Sequence, residues 1–116
     1  MSTGDFFIYV LKLEHECYYV GMTNNLKKRL GQHRFEPKGF TKHHRVVSSN
    51  PFYKVFKTKD KSEELFVTIE MMALKGFEKV RGSTFTRTEL SFQDKRVLAH
   101  LVTLDVRNTR LSASLY

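Results

Sequence analysis

The sequence predicts an α+β domain: a small, mainly antiparallel three-stranded sheet flanked by helices in the order β-β-α-β-α, with a further helix at the C-terminal end. Three observations predict it. Two runs of β-forming residues, Phe6-Phe7-Ile8-Tyr9-Val10-Leu11-Lys12-Leu13 and Cys17-Tyr18-Tyr19-Val20, are separated only by Glu14-His15-Glu16, which reads as a hairpin. A third such run, Phe52-Tyr53-Lys54-Val55-Phe56-Lys57, stands alone after Pro51. Between and after these runs lie segments with helical spacing of apolar residues.

Each element has a local reason. The first run is nearly continuous in apolar residues and suits a central strand. The second ends at Gly21. Thr23, Asn24 and Asn25 offer caps for a helix from Leu26 to Arg34, whose Leu26 and Leu30 mark its buried face. Arg29 and His33, also four apart, project from one side of it. Residues 35–50 are polar and basic, contain Pro37 and Gly39, and read as a loop with a short helical turn near 41–44. Glu63 to Lys75 reads as the main helix, stopped by Gly76. Acids at its start and Lys75 at its end suit the helix dipole, and its apolar middle predicts burial. Residues 77–86 read as irregular or short strand. Ser91 to Asp94 looks like a cap for a last helix with Val97, Leu98, Leu101 and Val102 on one face, fraying from about Asn108.

Length and charge narrow the function. The chain has 116 residues, enough for one domain with one core, and 41% of them are hydrophobic. Lys and Arg number 20 against 12 Asp and Glu, a formal charge of +8. The charge is polarised: from Lys27 to Lys61 the only acids are Glu36 and Asp60. Such a stretch attracts polyanions. A single cysteine, Cys17, rules out an intrachain disulfide and reads as a buried small hydrophobe. No run approaches the roughly 20 apolar residues of a membrane span, and the start lacks the pattern of a signal peptide. An intracellular protein, cytoplasmic or nuclear, with no membrane partner is expected. His33, His43 and His44 do not have the spacing of a known zinc site.

One set of residues carries chemistry. Ile8-Tyr9 lies in the first strand and Tyr19-Val20-Gly21 ends the second. The segment from Gly21 to His33 reads G-x-T-x-x-x-x-x-R-x-x-x-H, and a glutamate opens the main helix. In this order, on this frame, the residues resemble the GIY-YIG nuclease family. Phe40-Thr41-Lys42-His43-His44 and Val80-Arg81-Gly82-Ser83 are further similar to a small branch of it common in viruses and other mobile or eukaryotic elements. The resemblance implies a nuclease-like domain over residues 1–86, with residues 87–116 a helical extension packed on the same domain. It implies a divalent-metal-dependent endonuclease that nicks DNA or cuts it structure-selectively. Mg²⁺ or Mn²⁺ would be the cofactor, held by Glu64. Tyr9 would be general base or proton relay, Tyr19 would position water or phosphate, Arg29 would clamp the scissile phosphate, and His33 would orient or relay a proton. Glu63 and Glu70 stay open as alternatives to Glu64. Phosphate contacts are expected at Lys28, Lys42, His43, Arg45 and Lys79. Nucleic acid, DNA first, is the expected partner, with a second copy or another protein on the C-terminal helix.

The sequence departs from the family in three places. Phe7 stands where the family name has Gly, Lys79 where relatives commonly carry Asn, and Gly82-Ser83 where the branch reads Gly-Gly. These departures keep a second reading in play: a non-catalytic nucleic-acid-binding module, or a structural subunit, on a degenerate fold. A third, an acidic protein partner for the basic loops, leaves Tyr9, Tyr19, Arg29 and His33 unexplained as a set.

Overall fold

The computed structural model describes residues 5–83, Phe85 and residues 90–104, apart from the side chains at 92 and 101–104. In chain order the elements are β1 (Phe6–Leu13), a 3-10 turn (Glu14–Glu16), β2 (Cys17–Thr23), α1 (Leu26–Phe35), α2 (Phe40–His43), β3 (Phe52–Thr58), α3 (Glu63–Lys75), a second 3-10 turn (Phe77–Lys79), β4 (Val80–Gly82) and α4 (Phe92–Leu104). The expected fraying beyond Asn108 and the face positions Leu101 and Val102 lie outside the described residues and side chains.

The sheet corrects the three-stranded expectation. It has four strands in the order β3-β1-β2-β4. β1 pairs antiparallel with β2 and β3, whereas β4 lies parallel to β2. The sheet is therefore mixed, though most of its pairing is antiparallel. The fourth strand is only Val80–Gly82, too short for a period-2 pattern to appear.

Alternate residues of the strands serve two cores. Ile8, Val10, Val20, Phe56 and Val80 meet Val67, Ile69, Met71 and Met72 of α3 and Leu98 of α4. On the other face Tyr9, Leu11, Leu13, Cys17 and Val55 meet Phe40 of α2, with Leu26 and Leu30 of α1 packed against them. Cys17 is buried and its thiol donates to the His15 carbonyl at 3.6 Å. Val97 departs from the expected apolar face: it is 41% exposed, and Leu98 alone of that pair is buried.

The caps differ from expectation in detail. Asn25 caps α1 by accepting from the Lys28 N–H at 3.0 Å. Thr23 belongs to β2, which runs past Gly21. Ser62 precedes α3 without a side-chain cap and donates its hydroxyl to the Asp60 carboxylate at 2.6 Å. At α4, Ser91 Oγ accepts from the Asp94 N–H at 3.0 Å while Asp94 Oδ2 accepts from the Ser91 N–H at 3.2 Å, a reciprocal cap. Among the described residues no helix is long and apolar enough to cross a membrane.

Candidate active site

The face carrying α1 and α2 holds the titratable residues. Tyr9 stands opposite Gly21 in the β1–β2 ladder. A Cβ on Gly21 would collide with the Tyr9 ring and hydroxyl. The missing side chain is thus what lets the phenol lie across β2. From there the Tyr9 hydroxyl is 2.8 Å from His33 Nε2. The His33 ring also packs against Tyr19, with centroids 5.1 Å apart. His33 reaches both because Leu26 and Leu30 seat α1 on the sheet.

Glu64 enters from the other layer. Pairing of β2 with β4 stops at Val20 and Gly82. A Cβ on Gly82 would fall 2.6 Å from the Val20 carbonyl oxygen and 2.9 Å from Thr68 Oγ1, so the first turns of α3 press directly on this edge. Thr68 Oγ1 in turn donates to the Glu64 carbonyl at 2.7 Å. The Glu64 carboxylate is close enough to Tyr9 and Tyr19 for its charge to act on both phenols.

The electrostatics follow from burial. Desolvation raises Tyr9 well above the ordinary tyrosine range, with Tyr19 and Glu64 adding to the rise and Arg29 opposing it. Tyr19 is raised by burial and Glu64, again against Arg29. His33 is pulled down to about 4 by burial and then by Arg29, so near pH 7 it is a neutral imidazole with a lone pair to offer. Burial raises the Glu64 carboxyl while Arg29 lowers it. Tyr9, Tyr19, Arg29, His33 and Glu64 thus form one electrostatic group, drawn from β1, β2, α1 and α3.

A cleft of about 430 Å³ opens beside them. Its lining comes from Tyr19 of β2, from α1 and its end (Arg29, Gln32, His33, Glu36), and from the segment that leads into α2 (Lys38, Gly39, Phe40, Thr41). The expected phosphate contacts fall differently. Lys28 is exposed on α1, and Lys42 and His43 are exposed on α2 next to the cleft wall. Arg45 lies in a separate depression with Arg34, Val46 and Ser48, and donates to the Arg34 carbonyl at 2.8 Å. Lys79 donates to the His15 carbonyl at 3.1 Å, at the hairpin turn. The structure does not gather these five around the cleft.

As for metal ligands, among the described residues no three His, Cys, Asp or Glu side chains cluster. The carboxylate at the group is Glu64; Glu70 is buried, 6% exposed, in the middle of α3. One half-buried carboxylate within reach of the charge of Arg29, itself a cleft residue, fits a hard ion that keeps most of its water, such as Mg²⁺. His44 and His33 take separate places: His44 Nδ1 is 2.9 Å from His15 Nδ1, while His33 bonds to Tyr9.

Sequence reasoning gave no role to Gln32, Lys38 and Phe40 in the cleft, nor to Arg81. Arg81 is 1% exposed. It donates to the carbonyls of Phe77 at 2.7 Å and Val80 at 2.8 Å, and lies 4.6 Å from the Phe40 ring centre. The signal for it was its place inside the Val80-Arg81-Gly82-Ser83 segment, directly after the strand-forming Val80.

A family model described as the GIY-YIG catalytic domain matches residues 5–82. That span contains all five residues of the electrostatic group. No curated protein and no solved structure matches the chain.

Proposed function

The chain belongs to the GIY-YIG family, and on that premise we propose that it is a divalent-metal-dependent endonuclease of DNA, nicking or cutting by structure. The family is one of nucleases, which hydrolyse phosphodiester bonds. The observation that carries the finer reading is the grouping of Tyr9, Tyr19, Arg29, His33 and Glu64 beside a cleft, with Tyr9 and His33 joined at 2.8 Å. A packing role for each residue separately does not account for their mutual influence.

The chemistry follows from the residues. Arg29 offers a planar fork to the scissile phosphate at the mouth of the cleft. Tyr19 orients the phosphate or the attacking water. Tyr9 takes the proton of that water as its own passes toward the neutral His33 Nε2. The new P–O bond forms as the bond to the leaving nucleotide breaks, and on this reading His33 passes the proton it has taken on to the leaving oxygen. Burial holds both phenols protonated, so the relay needs a cation to lower its cost. Glu64 would hold Mg²⁺ or Mn²⁺, which when bound supplies Lewis-acid polarisation of the phosphate and pulls nearby proton donors down. Residues 87–116 are read as an extension of the same domain, in keeping with Leu90 and Leu98 in its core.

Two observations favour the second reading, a binding module without cleavage. Ser83 holds a left-handed φ of 54° where the resembling branch has Gly, a conformation that costs a non-glycine residue about 1–2 kcal/mol. Lys79 is tied to the hairpin turn in place of an Asn. Conversion of supercoiled plasmid, with Mg²⁺ or Mn²⁺ and with EDTA, separates the readings. The nuclease reading expects nicked or linear product that needs metal and disappears in Glu64→Ala and Arg29→Ala. Absence of product from folded wild type on plasmid, branched DNA and RNA, alongside salt-sensitive binding, would leave the binding module.

A further inference from the structure

We infer that Arg81 is a positioning residue for substrate: it never touches the nucleic acid, and it holds the α2 wall of the cleft in place from beneath. The inference rests on the nucleic-acid reading of the cleft and adds to it the device that sets the cleft's second side.

Arg81 pairs with Tyr19 in the parallel β2–β4 ladder, so the two side chains leave the sheet side by side. Tyr19 lines the cleft; Arg81 is sealed under it. Its guanidinium donates to the Phe77 and Val80 carbonyls, which fix its direction, and lies 4.6 Å from the Phe40 ring centre. Phe40 is the first residue of α2 and lines the cleft together with Arg29. A helix of four residues has little stability of its own. Its place depends on what it packs against, and a desolvated cation against an aromatic ring is a strong contact of that kind. His44 also packs on Phe40, with centroids 4.7 Å apart. Phe40 is thus in contact with both Arg81 and His44, and through it Lys38 and Thr41 keep their places in the cleft lining.

Loss of Arg81 should therefore weaken substrate grip while leaving the Tyr9–His33 pair and Glu64 as they are. The test uses Arg81→Met, Arg81→Lys and Phe40→Leu. Binding of a labelled oligonucleotide is measured without metal, and single-turnover cleavage with Mg²⁺. The expected result for Arg81→Met is about a tenfold rise in Kd and KM with kcat within about twofold of wild type. Arg81→Lys should recover part of the binding, since an ammonium keeps a buried cation near the ring but lacks the planar guanidinium that lies over it. Phe40→Leu should show the same split, and the double variant should be no worse than the poorer single one. If Arg81→Met does not fold, Phe40→Leu, which leaves the buried cation in place, carries the test alone. A fall in kcat with KM unchanged overturns the inference, and so does wild-type binding by folded Arg81→Met and by Phe40→Leu. Because binding needs neither metal nor cleavage, wild type that binds but does not cut refutes the nuclease reading alone, whereas wild type that does not bind refutes both.

Discussion

The two faces of the sheet are made by alternate residues of the same strands, yet they differ in kind. The α3 face is closed: Ile8, Val10, Val20, Val67, Met71 and Leu98 are at most 1% exposed, and apolar side chains fill the space between the layers. The α1 face buries fewer apolar groups and mixes them with Tyr9, Tyr19, His33 and Arg81. The difference teaches a division of labour. A dry face supplies stability, and a face left partly polar supplies groups whose ionisation burial has displaced. Gly21 and Gly82 mark where the two meet, since each gives up a side chain so that Tyr9 or α3 can approach β2.

The largest expected effect falls on the polar face. Tyr9→Phe keeps the ring and removes the hydroxyl, and should lower the single-turnover rate by about 10²–10⁴-fold with little change in Tm. Gly21→Ala strikes the junction. Its methyl would displace the Tyr9 phenol, and the expected rate loss is about 10²-fold, read in the same assay. The dry face should answer in the opposite currency. Met71→Ala should cost about 2–5 kcal/mol in denaturant unfolding and leave the rate per folded molecule near wild type.

The smallest effect is a pH dependence of stability. Burial holds His33 near 4, below its ordinary 6.5, so the fold favours the neutral ring. That contribution is complete above about pH 6.5 and is lost as pH falls toward about 4. Over that window Tm should fall less in His33→Gln than in wild type. Equal slopes would show that His33 is not desolvated as described. Glu64, raised by burial, acts in the opposite sense and is common to both proteins.

Much of the fold was legible in the sequence, for reasons that name the exceptions. β1, β3 and α3 carry long apolar patterns, and their observed bounds differ from the expected ones by a residue at most. β4 was legible only as one of two readings of residues 77–86, irregular chain or short strand, because three residues show no period, and its parallel pairing depends on where α3 delivers the chain. Val97 was misjudged because the helical spacing that marks Leu98 marks it as well, and α3 covers only one of them. At the site, Arg29 and His33 were legible as neighbours from their four-residue spacing, but their meeting with Tyr9 and Glu64 was implied only by resemblance. The role of Gly21 under Tyr9 needs the β1–β2 register, which no local pattern states. Arg81 was given no role because an arginine reads as surface, and its burial is understood only from contacts such as those with the Phe77 and Val80 carbonyls and the Phe40 ring.

The comparison is sharpest on a single helix. Glu64 opens α3 toward the polar group, while Glu70 lies buried in its apolar middle. Single-turnover cleavage and Tm of Glu64→Gln and Glu70→Gln, with Mg²⁺ at saturation, therefore decide which carboxylate serves the reaction. Glu64→Gln should lose cleavage by about 10³-fold with its Tm kept, and Glu70→Gln should change Tm while cutting at the wild-type rate. Cleavage that survives Glu64→Gln and vanishes in folded Glu70→Gln would overturn the role of Glu64 and move the metal-binding carboxylate to the buried middle of α3.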